Sequence, residues 1–290
     1  MGTSTSCAGG KAGSPFDPEW LAGDANEDIA AGEGDAGDEM QAGEAGGEHG
    51  YDDTEDAAGE PAGSDEVTGM PEVAPDRRFA SARTKMSAYL ASGGRDPLRS
   101  AAKSMINKGM GGPRRAASTM RRTAQGAGQL GQFLAEARDG TDTRVRDWVE
   151  RVRAADLSAN DLVLELVKEV IPDTGSIDDE SLRNAAAEAL GKLYESDPDI
   201  DIFDLTDQQI SDAIGYTIAN DVCNRMDLQL GQTYERLKHQ PQEVQRYRND
   251  VKEWVHEEVR TVMEQYRTVQ LNPQRLAREV LASALRVFAE

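Results

Sequence analysis

The sequence predicts an all-α fold: a helical bundle or array in the C-terminal half, preceded by a basic helical segment and a long, disordered, acidic Gly/Ala-rich tail. Three observations carry that prediction. Charge divides the 290 residues into three unlike stretches: 1–76 hold 20 acids against one base (net −19), 77–140 hold 13 bases against three acids (+10), and 141–290 hold 18 bases against 30 acids (−12). Only 38% of the chain is apolar and 5% aromatic, below the globular average, so no single core runs through all of it. Beyond residue 140, apolar side chains recur at helical spacing, and no alternating strand run is found.

In chain order, residues 1–76 contain 15 of the 28 glycines, and much of the rest is Ala, Asp and Glu. Such a stretch lacks the apolar surface to offset the entropy of ordering it, so disorder is expected. Two places depart from that pattern. The extreme N-terminus is uncharged through Gly10, and Pro15-Phe16-Asp17-Pro18-Glu19-Trp20-Leu21 gathers aromatics ahead of the acidic run. Phe16 and Trp20 are either chance hydrophobics in a tail or a short motif that docks on a partner, because exposed aromatics in disorder are otherwise a liability.

Residues 77–140 are the basic segment. Helices are expected over 79–92, 97–108 and 113–137, separated by Gly93-Gly94 and by Gly109 through Pro113. Arg114, Arg115, Arg121 and Arg122 lead its charge. Three readings fit these bases: an ordinary helix surface or counterweight to the acidic tail, a nucleic-acid surface acting by counterion release, or a surface for an acidic protein. The neighbouring tail competes for the same charges, and aromatics for base stacking are scarce.

Residues 141–290 read as a succession of capped amphipathic helices forming one all-helical domain. Val145, Trp148, Val149 and Val152 share a stripe. Ser158 is a candidate cap for a helix that Pro172 stops, and Asp178 or Asp179 for the next. Thr206-x-x-Gln209 is a capping box ahead of Ile210, Ile214, Ile218, Val222 and Leu228. Pro241 suits a first helical position before Val251, Trp254, Val255, Val259 and Val262, and Asn272-Pro273 opens the last helix. About 150 residues of this kind can bury a sizeable core.

Motifs for chemistry are weak. Gly126-Ala127-Gly128-Gln129-Leu130-Gly131 matches GxGxxG, but an Arg-rich helical run precedes it where a dinucleotide fold needs a strand. Asp197, Asp199 and Asp201 imitate a calcium loop whose sixth position is Ile202 instead of Gly. His256-Glu257-Glu258-Val259-Arg260 lacks the second His of a zinc-protease helix, and with only His49, His239 and His256 in the chain no three-ligand catalytic zinc site assembles without several carboxylates. Cys7 and Cys223 make no disulfide framework, and Cys223 mid-helix reads as a structural thiol. No enzymatic activity, no metal and no cofactor are expected. No stretch approaches a membrane span and no secretory signal is present, so a cytoplasmic protein is expected. MGTSTS also fits the loose myristoylation pattern with Cys7 nearby, leaving a lipid anchor as a third function class, although the composition looks bacterial.

MGTSTSCAGG followed by SPFDPEWL, then RRFASARTKMSAYLASGG, GMGGPRRAASTMRRTA and NDVCNRMDLQLG, together resemble the QatB family, the B component of the bacterial Qat anti-phage defence system. The resemblance covers nearly the whole chain apart from the acidic insertion at about 24–76, and Asn220-Asp221 stands where a Met-Asp pair is expected. It implies a non-catalytic partner acting with a QueC-like deazaguanine-type enzyme (QatC), an ATPase (QatA) and a TatD-like nuclease (QatD). The resemblance further implies that Gly2 is the acceptor for modification by the QueC-like enzyme. Thr3, Ser4, Thr5 and Ser6 would then form the leader threaded into its active site. A leader without charge can enter a narrow pocket without a desolvation penalty. The rival expectation is a nucleic-acid-binding protein using 77–122.

Overall fold

The computed structural model describes residues 77–236, 241–267 and 271–290, and every regular element among them is helical. In order these are α1 (Ala80–Ser92), α2 (Arg95–Ser104), a π-helical turn (Met105–Gly109), α3 (Pro113–Thr119), α4 (Arg121–Asp139), α5 (Thr143–Ala154) and α6 (Ala159–Val170). They continue as α7 (Ile177–Ser196), α8 (Asp207–Leu230), α9 (Gln232–Arg236), α10 (Pro241–Glu264) and α11 (Pro273–Ala289). The all-α prediction therefore holds for the described residues. The acidic tail lies outside them.

Short-range chemistry sets most helix starts. Ser158 accepts from the Asp161 amide, Asn272 from the Arg275 amide, and Thr206 and Gln209 form the reciprocal capping box. Pro113, Pro241 and Pro273 each open a helix, where a missing N–H costs nothing.

Three starts or breaks differ from the sequence reading. Ser176, not Asp178 or Asp179, caps α7 by accepting from the Asp178 amide; the two aspartates lie in the first turn, where the helix dipole favours negative charge. The helix expected over 113–137 is two, because Met120 (φ −91, ψ 22) turns the chain between α3 and α4 while its side chain stays buried. The helix expected over 97–108 begins at Arg95 and ends in the π-turn that buries Met105 and Ile106.

Packing centres on α8, against which α7, α4, α10 and α11 all lie, while α11 also packs on α3, α4 and α2. Helices from the basic stretch and from beyond residue 140 contribute to one hydrophobic core, from Met86 and Leu90 through Leu130 and Leu134 to Leu281 and Leu285. The buried series on α8 is Ile210, Ile214, Ile218, Val222, Met226 and Leu230. A step of four residues advances about 40° around a 3.6-residue helix, so this stripe winds around α8 as it rises. Leu228, expected on the buried face, is 60% exposed. It lies five full turns above Ile210, on the side the stripe has by then left.

On α10, Trp254 is 4% exposed, with its ring 5.3 Å from that of Phe288 on α11 and its indole N–H donating to Glu258 Oε1 at 3.0 Å. On the other flank, the Trp148 ring sits edge-on between Phe133 at 5.2 Å and Phe203 at 6.0 Å, the geometry aromatic quadrupoles favour.

Candidate functional site

The GxGxxG run lies inside α4 and forms a helix-crossing face. A Cβ on Gly131 would sit 2.5 Å from Ile214 Cδ1 and 3.0 Å from Pro273 Cβ; one on Gly128 would sit 3.0 Å from the Gln274 Cα. At Gly126 it would collide with Leu182. These glycines let α4 approach α7, α8 and α11 closely, and among the described residues only helical elements precede them.

Beside this crossing is a buried polar cluster. Asp221 on α8 is 1% exposed and accepts from Thr123 Oγ1 on α4 at 2.5 Å and from Ser181 Oγ on α7 at 2.6 Å. Its neighbour Asn220 donates to the Ala185 carbonyl at 3.2 Å and accepts from His256 Nε2 at 2.8 Å. Burial is the main cause that lowers the His256 pKa from 6.5 to about 4, with Lys252 adding to it, so the ring is neutral at pH 7. The Asn-Asp pair thus ties α8 to α4, α7 and α10 at one level.

The other chemical candidates have structural roles. Burial pushes the Cys223 thiol up to about 12, far from a thiolate. Asp201 accepts from the Phe203 amide and pairs with Arg153 at 2.7 Å, and Asp197 accepts from the Asp199 amide. Glu258 receives Trp254 and also Arg99 at 3.1 Å.

All four predicted arginines are exposed, Arg114 and Arg115 on α3 and Arg121 and Arg122 in the first turn of α4. Arg122 is engaged: its Nη2 lies 2.9 Å from Asp179 Oδ2, a buried carboxylate that Thr174 also reaches. Arg115 lines a cleft of about 230 Å³ together with Arg78, Lys108 and Arg225. The wall of this cleft is the turn after the π-helix, where Gly111 (φ +78) and Gly112 (φ +95) adopt backbone open to glycine at little cost. The Phe79 ring packs so closely on Gly109 that no Cβ fits there, and the Arg78 guanidinium sits 4.9 Å over that ring.

Sequence reasoning singled out Arg115 but missed its association with Arg225, more than a hundred residues away. Arg225 lies in NDVCNRMDLQLG, but no local spacing signals what it meets. Gly2, Thr3, Ser4, Thr5, Ser6, Phe16 and Trp20 lie outside the described residues. No helix among the described residues is long and apolar enough to cross a membrane.

A family model, described as Qat anti-phage system associated protein QatB, matches residues 111–288, which span α3 and all but the end of α11. Neither the curated proteins nor the solved structures give a match. The matched region contains the glycine crossing, the Asn220-Asp221 cluster and two of the four cleft bases, Arg115 and Arg225. With well over half of its length matched, the chain belongs to the QatB family of the Qat anti-phage defence system.

Proposed function

We propose that the chain is a non-catalytic adaptor of the Qat complex whose N-terminal glycine, Gly2, is modified by the QueC-like enzyme QatC. The ATPase QatA and the TatD-like nuclease QatD are its further partners, in the cytoplasm. The observation that carries this reading is the uncharged run of small residues from Gly2 through Gly10, in a chain of the QatB family. Thr3, Ser4, Thr5 and Ser6 supply no acid, base or metal ligand, so the modification needs an enzyme that grips an extended leader. Gly2 offers an amine unhindered by a Cβ to an activated carbonyl carbon; the activating group leaves as the C–N bond forms and the amine loses its proton. Phe16 and Trp20 supply a docking motif a short reach behind the leader.

Intact-mass spectrometry of the full chain co-expressed with the QueC-like enzyme tests the reading. The expected result is loss of Met1 and a purine-like mass added on Gly2. Gly2→Pro, or one residue inserted before Gly2, is expected to abolish both the adduct and phage protection while the helical fold remains. Protection that persists with a blocked N-terminus would refute the acceptor role. The exposure of Arg114, Arg115 and Arg121 supports a second reading, nucleic-acid binding. Its signature is a steep salt dependence lost when these and Arg122 become Ala.

A further inference from the structure

Residues 77–122 hold 12 bases and one acid, Asp96, whereas residues 123–290 hold 19 bases and 32 acids. The first stretch comprises α1, α2, the π-turn, α3 and the opening of α4. These elements adjoin: α1 packs on α2 and on the π-turn, and α3 packs on the π-turn and on α4. Their apolar sides enter the core through Met86, Leu90, Leu98, Ile106 and Ala116, which leaves the bases on the outside. A net charge of +11 therefore lies on one layer of helices.

Part of that charge is answered within the fold. Arg99 faces Glu258 at 3.1 Å and Arg122 faces Asp179 at 2.9 Å. Arg83 and Lys103 donate to backbone carbonyls, and Arg77 and Arg115 have interactions of their own. Arg95, Lys108, Arg114 and Arg121 are exposed and have no ion-pair partner among the described residues. Away from the layer most described bases face an acid, as Arg138, Arg153, Arg183, Arg248 and Lys252 do. Like charges gathered without acids cost Coulomb energy that a polyanion offsets.

The composition of the layer selects the form of that polyanion. Its two aromatics, Phe79 and Tyr89, are 7% and 4% exposed. No ring is offered for bases to stack on, and stacking is what holds single strands. A duplex keeps its bases stacked on each other and presents one negative charge per ~1.7 Å of axis. Bases fixed on packed helices meet so regular an array with little ordering left to lose.

We infer that the outer side of α1, α2, α3 and the opening of α4 binds the phosphate backbone of double-stranded nucleic acid, with Arg95, Lys108, Arg114 and Arg121 pairing with phosphates. The inference rests on the nucleic-acid reading and narrows it to duplexes. Sequence preference is absent, because phosphate contacts carry no sequence information.

Fluorescence anisotropy of the full chain with labelled duplex DNA, duplex RNA and a single strand of equal length, at about 50 to 200 mM salt, tests this. Four phosphate pairings give an expected slope of about −3.6 in log affinity against log salt, roughly a hundredfold loss across that range. Lys108→Gln with Arg114→Gln is expected to remove about two units of the slope. Arg146→Gln with Arg151→Gln takes the same charge from exposed bases of α5, outside the layer, and is expected to leave the slope unchanged. All four substituted residues are exposed, so circular dichroism of both variants is expected to match the parent. Tighter binding of the duplexes than of the strand supports the assignment, and a preference between DNA and RNA then names the source. A single strand that binds as tightly as the duplexes, or an equal effect of the two variants, overturns the inference while the nucleic-acid reading stands. Failure of all three to bind overturns both.

Discussion

Gly131→Ala separates close helix packing from every other reason for a glycine in α4. The new Cβ would lie 2.5 Å from Ile214 Cδ1, 2.8 Å from Ile214 Cγ1 and 3.0 Å from Pro273 Cβ. Both α8 and the start of α11 must therefore give way. Overpacking of this kind costs about 1–3 kcal/mol, against which alanine returns about 1 kcal/mol of helix propensity. The net expectation is a loss reaching about 2 kcal/mol. Gly191, in the middle of α7, has nothing within 4 Å of an added Cβ, so Gly191→Ala is expected to gain about 0.5–1 kcal/mol from propensity alone. Urea unfolding of the full chain, followed by helical circular dichroism, reads both changes as shifts of the midpoint at constant slope. The midpoint is expected to fall for Gly131→Ala and to rise for Gly191→Ala. A rise of equal size in both variants would refute the packing argument.

Two other expectations follow from buried groups. Trp254→Ala removes an indole packed on Phe288 and leaves Glu258 without one donor, and is expected to cost about 3–5 kcal/mol in the same unfolding assay; a change within about 0.5 kcal/mol would place the ring at the surface. His256 has a folded pKa of about 4 against an ordinary 6.5, so below pH 6.5 the unfolded chain takes up a proton that the folded chain refuses. Its stabilising contribution is complete above that value and declines as pH falls from 6.5 towards 4, by about 1–2 kcal/mol between pH 7 and pH 5. Unfolding at the two pH values measures it, and His256→Gln, which keeps a donor for Asn220, is expected to shrink the difference by that amount.

What the sequence made legible is what neighbours in the chain decide. Ser158, Thr206 with Gln209, and Asn272-Pro273 each begin a helix through contacts within three residues, and each stands where reading alone placed it. The stripe Val251, Trp254, Val255, Val259 and Val262 is buried for the same reason: its period is local. The turn at Met120 was not legible, since no Gly or Pro marks it and it depends on how α3 and α4 lie on α11. Leu228 misled because a face holds only while the same neighbour covers it. Among the site residues, Arg115 stood out as a base, but the company of Arg225, Lys108 and Arg78 is a product of the fold, as is the service of Asp221 to Thr123 and Ser181.

The winding of the buried series on α8 restricts how this part of the chain can change length. One residue added near Ala219 would rotate everything beyond it by about 100°. Met226 and Leu230 would swing away from the core, and Asp221 would be carried past Thr123 and Ser181. Arg225 would leave both Asp178 and the cleft. A gain or loss of one residue is therefore destructive anywhere between Ile210 and Leu230, whereas the exposed Asp197–Asp199 stretch of the preceding connection, ahead of the buried Ile202, Phe203 and Leu205, can absorb one. Length variation among chains of this fold is expected to collect in that connection and to spare the long helix that follows it.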